Sequence, residues 1–167
     1  MRVPWSVSLV AVSLLCAASW SAESPKLDAA KYPQDTPKKA MQSILKALEA
    51  RDFEYWIVWL INPDDTKKLI EKHGSLAAVS LMNADDKHAP RIKRQIDAIN
   101  EILKNDNFAE GTENGVTYVR FQTEKKILQM EKQPDGRWCM NICRSNELAK
   151  ERAAQNATSD TPKDDKK

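Results

Sequence analysis

Histidine, cysteine and glycine are all scarce in this chain, with two, three and four residues respectively among 167. So few cysteines exclude a disulfide-dense scaffold, and a domain of this kind must hold itself together mainly by its core. Four glycines beside eight prolines exclude collagen and low-complexity chains. Neither sign of charge prevails: 26 Lys and Arg face 24 Asp and Glu. The concentrated basic surplus of a nucleic-acid binder is missing, and no nucleic-acid partner is expected. Long hydrophobic runs are absent except at the very start, so a multi-span membrane protein is excluded as well.

That one run is distinctive. Arg2 supplies a positive start, residues 3–18 are almost wholly apolar, and Ala17, Ala18, Ser19 and Ser21 follow as small residues. This is the pattern of a secretory signal peptide, expected over residues 1–21. A retained anchor, or a lipid on Cys16, is the alternative reading. Export places the remaining cysteines, Cys139 and Cys143, in a compartment that permits disulfides, and no membrane association is expected after cleavage.

Residues 22–35 are polar, contain Pro25 and Pro33, and read as a tether. Thr36-Pro37 then marks a helix start, with Met41, Ile44, Leu45 and Leu48 at helical spacing. Asp52 is placed to cap a second helix carrying Phe53, Trp56, Ile57, Trp59 and Leu60. Asn62-Pro63 interrupts it, a further helix follows from Thr66, and Gly74 offers the left-handed position that ends it. Residues 76–82 fit a short helix better than a buried strand. After Pro90, Ile92, Ile96, Ile99 and Leu103 line one helix face. From Asn105 the character changes. Gly111 and Gly115 bracket an acidic, turn-rich loop, and period-two alternation predicts strands over 116–121, 127–131 and 137–143. Pro134-Asp135-Gly136 forms a turn between the last two. On the last strand Trp138, Met140 and Ile142 share the apolar face, opposite Cys139, Asn141 and Cys143. Helices first and strands after predict an α+β fold with a three-stranded antiparallel meander. Residues 146–167 read as a polar, largely disordered tail, with one or two exposed helical turns as an option for its first part, Glu147 to Ala154.

The Thr36-Pro37 start, the helix from Ala40 to Leu48, the Ala50-Arg51-Asp52-Phe53 step into a second helix and the closing Lys132-Gln133-Pro134-Asp135-Gly136-Arg137-Trp138 hairpin together resemble the NTF2-like superfamily. The closest flavour is that of small secreted SnoaL-like and DUF4878-like domains. The resemblance covers residues 36–145. It implies a cone, with N-terminal helices packed against a C-terminal curved antiparallel sheet, often with a pocket at the wide end. It also implies a role anywhere between isomerase or dehydratase and a domain with no catalysis.

Residue types that carry chemistry are few. Asp85-Asp86-Lys87-His88 is the densest polar cluster, with His73 fifteen residues earlier, but the spacing matches no hydrolytic or metal motif. His73 is expected to satisfy free carbonyls at a helix end. Cys139 and Cys143 share a strand face about 13 Å apart if the strand is regular. A mutual disulfide therefore requires the chain to turn after Met140, and separate thiols, intermolecular pairing or a metal are the alternatives. Trp56 and Trp59 are expected in the core, and lining a pocket under the inner face of the sheet is the alternative. Arg91, Lys93 and Arg94 fit a solvated mixed-charge helix face. Asn156-Ala157-Thr158 is a glycosylation sequon of consequence only in a eukaryotic secretory pathway. No catalytic, cofactor-binding or metal-ligating residue is assigned, and no cofactor is expected. The functional expectation is a secreted or periplasmic, non-catalytic module that binds a small apolar ligand or a protein partner. A small isomerase or dehydratase acting on an apolar molecule is the alternative.

Overall fold

A computed structural model describes residues 25–105, 108–123 and 126–159, with side chains through Asn156. The expected signal peptide over residues 1–21 lies outside them. The described chain forms α1 (Pro37–Glu49), α2 (Phe53–Tyr55) running into a π-helical turn (Trp56–Leu60), α3 (Pro63–His73), α4 (Leu76–Ala84) and α5 (Ala89–Asn105). Strands β1 (Phe108–Glu113), β2 (Val116–Gln122), β3 (Ile127–Lys132) and β4 (Trp138–Asn141) follow, and α6 (Ile142–Ser159) closes it. The fold is α+β: six helices and one open antiparallel sheet in the order β1-β2-β3-β4.

α1, α3 and α4 begin at a capping side chain, and Asn62 takes α3 back to Pro63 from the expected Thr66, whereas Asp52 ahead of α2 makes no cap bond. Thr36 Oγ1 accepts from the Lys39 amide at 3.3 Å ahead of Pro37, and Ser75 Oγ accepts from Ala78 N at 3.1 Å to start α4. Residues 76–82 are therefore helical, as their pattern favoured. Gly74 ends α3 at φ +88°. The inner face of the sheet, with Val119, Phe121, Met130, Trp138 and Met140, closes on Met41, Ile44 and Leu48 of α1 and Ile92, Ile99 and Ile102 of α5.

Three expectations are corrected. The acidic segment bracketed by Gly111 and Gly115 is no loop. It is β1 and its hairpin turn to β2, with Asn114 at φ +52° and Gly115 at φ +80°, the positive-φ pair that matches the twist of flanking strands. The last strand stops at Asn141, so Cys143 lies on α6 and not beside Cys139 on a strand face. Residues 146–159 continue that helix, which buries Leu148 and ties Arg152 Nη1 to the Thr123 carbonyl at 2.7 Å. Residues 160–167 lie outside the described part.

The expected tether is also more than a tether. From residue 25 it is a strap over the outer edge of β4. Tyr32 is fully buried, its ring 4.3 Å from that of Tyr55, and its hydroxyl donates to Asp52 at 2.9 Å. Trp59 Nε1 donates to the Pro25 carbonyl at 2.6 Å. Trp138 N donates to the Gln34 carbonyl and Asn62 N to the Met140 carbonyl, at 2.9 and 2.8 Å. Strap and α3 entry thus pair the β4 edge, which otherwise exposes backbone groups that need partners.

Candidate functional site

The outer face of the sheet carries a polar network with Glu131 at its hub. Pleating places Arg120, Gln129 and Asn141 in one cross-strand row and Tyr118, Glu131 and Cys139 in the next. Glu131 accepts from Asn62 Nδ2 at 2.7 Å and from Gln129 Nε2 and Asn141 Nδ2 at 2.8 Å each. Arg120 Nε donates to Gln129 Oε1 at 2.8 Å, pairs with Glu113 at 3.0 Å and lies over the Tyr118 ring. The network runs on into the start of α6. Asn141 Oδ1 accepts from Arg144 N at 2.7 Å, and buried Asp65 accepts from Ile142 N and Cys143 N at 2.6 and 3.0 Å. Asp65 thereby occupies the helix terminus that would attract an anion. Around this network lies a polar hollow of about 390 Å³. Its carboxylate hub is saturated by amide donors, so the network reads as a lock between α3, the sheet and α6.

Neither thiol is poised for chemistry. Cys139 is buried under the strap, against Gln34 and the Trp59 carbonyl, and burial pushes its pKa up to about 11. Cys143 hydrogen-bonds Asp65, and that bond, aided by burial, raises its pKa as well. Both stay protonated at neutral pH, the weakly nucleophilic form. They are free thiols in this structure.

The second hollow lies on the helical side. It is an open groove of about 550 Å³ between the α1–α2 junction and the α4–α5 junction. Leu48, Phe53, Ile92 and Ile96 form its apolar floor, and Glu49, Arg51, Asp85, Asp86 and Lys93 its charged rim. Its wall contains a local conflict. Arg51 follows α1 at φ +55°, where its N–H bonds the Leu48 carbonyl and the Asp52 N–H reaches the Ala47 carbonyl. Glycine suits that position, and a side chain there costs about 1 kcal/mol. Just beyond Phe53 the chain enters the π-turn, with Ile61 N on the Trp56 carbonyl at 3.2 Å. Trp56 Nε1 is buried without a partner, its ring edge-on to Phe53 at 6.4 Å. Strain, a π-turn and an orphaned donor between Arg51 and Leu60 are departures that concentrate at functional sites.

Of the residues singled out by sequence, Asp85 and Asp86 stand on this rim. Asp85 caps the 3₁₀ turn Asp86–His88 by accepting from Lys87 N at 2.9 Å. His73 is the last residue of α3, away from that cluster in sequence and element. Trp56 is in the core and Trp59 half-buried, with the Arg137 guanidinium 5.1 Å from its ring. Under the inner face of the sheet Ile57, Leu60 and Met130 are completely buried. A cavity of about 60 Å³ beside Gln95, Leu128 and Ser145 remains, room for little more than water. In the basic run, Arg91 donates to Asn83 Oδ1 and Lys93 pairs with Asp97 at 3.3 Å. Asn156 lies on α6. Among the described residues no three His, Cys, Asp or Glu side chains converge as metal ligands, and no helix is long and apolar enough to cross a membrane. Sequence reasoning missed Arg51 because only the backbone reveals its left-handed conformation. It missed Glu131 because alternation alone marks it as an exposed strand residue.

Comparison of the chain with known protein families, characterised proteins and solved structures found no match.

Proposed function

We propose that this protein is a non-catalytic binding module exported from the cytoplasm, built on an NTF2-like plan, whose binding surface is the helical groove. The observation that carries this reading is the groove itself, an apolar floor inside a charged rim, walled by a residue held in a costly conformation. Such a surface takes an apolar body with polar edges. Export is supported by the Arg2 start, the apolar run and the small residues after it. The NTF2-like plan is supported by helices preceding an antiparallel meander and by the Ala50–Phe53 step between the first two helices.

A direct test is titration of the exported protein at low micromolar concentration with anilinonaphthalene sulfonate, an apolar fluorescent probe. The native protein should enhance its emission. Ala89→Trp, which fills the groove from its α5 wall, should abolish the enhancement and leave the melting temperature within about 2 °C. Equal enhancement by the two proteins would refute the reading.

A further inference from the structure

We propose that the partner of the groove is a second copy of this chain, which seats its Leu81 there; the inference rests on the groove being the binding surface. Helix α4 reads Leu-Ala-Ala-Val-Ser-Leu-Met-Asn-Ala and is apolar around most of its circumference, the composition of a helix covered on more than one side. Val79 and Asn83 face the core, yet Leu81 is 71% exposed. Ala77 and Ala84, one turn to either side on the same stripe, are exposed and small, so a partner can approach closely. Ala84 is itself part of the groove wall. A projecting leucine and an apolar hollow therefore lie side by side on one patch, the arrangement that a two-fold, self-complementary contact requires.

The rim chooses the same partner. Arg51 stands on one wall and Asp86 on the other, and among the described residues neither has a side-chain partner. A rim of one sign would repel its own copy, whereas this one presents both, so a two-fold mate brings Asp86 toward Arg51. The free edge of the sheet is a poorer meeting place. Glu110 of β1 shares the inner face with Val119, and an inward-pointing charge on an edge strand discourages strand pairing.

Sedimentation equilibrium of the exported protein from about 1 to about 200 µM tests this, with a reversible dimer expected in that range. Leu81→Asp should weaken the dimer at least about a hundredfold and leave the melting temperature of the monomer within about 2 °C, since Leu81 is exposed. Arg51→Glu should weaken it about tenfold, and Arg51→Glu with Asp86→Arg should restore it. A chain that stays monomeric at the highest concentration overturns the inference. So does a dimer indifferent to Leu81→Asp, or one broken by Thr112→Pro in β1. If the protein is monomeric and still enhances the probe, self-association falls and the binding groove stands. If it does neither, both fall.

Discussion

Two hollows of this domain, the polar one on the sheet and the helical groove, hold similar kinds of residues in opposite states. On the outer face of the sheet, Glu131 receives three amide hydrogen bonds, Arg120 is shared between Gln129 and Glu113, and Asp65 is consumed by two backbone N–H groups of α6. In the helical groove, Arg51 and Asp86 both border an apolar floor and have no side-chain partner among the described residues. Polar groups that satisfy one another hold elements together and offer little to a ligand. Charges left open around apolar surface cost little in water and gain partners on binding. A count of charged side chains would rank the sheet face first, and their pairing reverses the order.

Four substitutions sharpen this contrast, and the largest effect belongs to the wall between the two regions. Trp138→Ala removes a buried side chain that packs β4 onto the helical layer, and should cost about 3–5 kcal/mol in urea melts. Asn141→Ala on the opposite face loses the α6 cap and one bond to Glu131, and should cost about 1–2 kcal/mol. If Asn141→Ala proved the costlier of the two, the sheet network and not the core would be the main clamp.

Glu131→Ala comes next. It strands the side-chain amides of Asn62, Gln129 and Asn141, at about 1–3 kcal/mol. An unchanged denaturation midpoint would mean that water replaces the carboxylate without loss, and the outer hollow would then be as open as the groove.

Arg51→Gly has the smallest effect and the opposite sign. Relief of the left-handed conformation should raise stability by up to about 1 kcal/mol, while probe emission or dimer affinity falls. A destabilised Arg51→Gly protein would show that the arginine serves the fold.

Much of the architecture was legible in the chain. Met41, Ile44 and Leu48, and Ile92 and Ile99, lie on one face at helical spacing because burial of a single stripe demands it, and all five are core residues. Trp138 and Met140 face inward as alternation required. β1 was hidden because Glu110, Gly111, Thr112 and Glu113 lack the apolar alternation of a half-buried strand. Only one face of that edge strand meets the core at all, through Phe108 against Phe121 at 6.0 Å. Its Asn114-Gly115 turn was the available signal. The strap was hidden because its polar composition outweighed one anchor, Tyr32. Of the groove, Phe53, Asp85, Asp86 and Lys93 were each visible, but nothing in their spacing brings residues 48–53 next to residues 83–96.

By itself, then, the amino-acid sequence determined where α1, α2, α4 and α5 start, the apolar stripes, strands β2 and β3, the turn into β4 and the α+β order, because each follows from interactions a few residues apart. Tertiary structure alone decided which polar groups are spent and which stay open. Glu131 is quenched by Asn62, distant by 69 residues, and the α6 terminus by Asp65, 77 residues from Ile142. Arg51 stands on the groove where the end of α1 turns the backbone left-handed, a conformation set by bonds to the Ala47 and Leu48 carbonyls. Hydrogen bonding acts over about 3 Å, and only the packed chain sets which groups come that close.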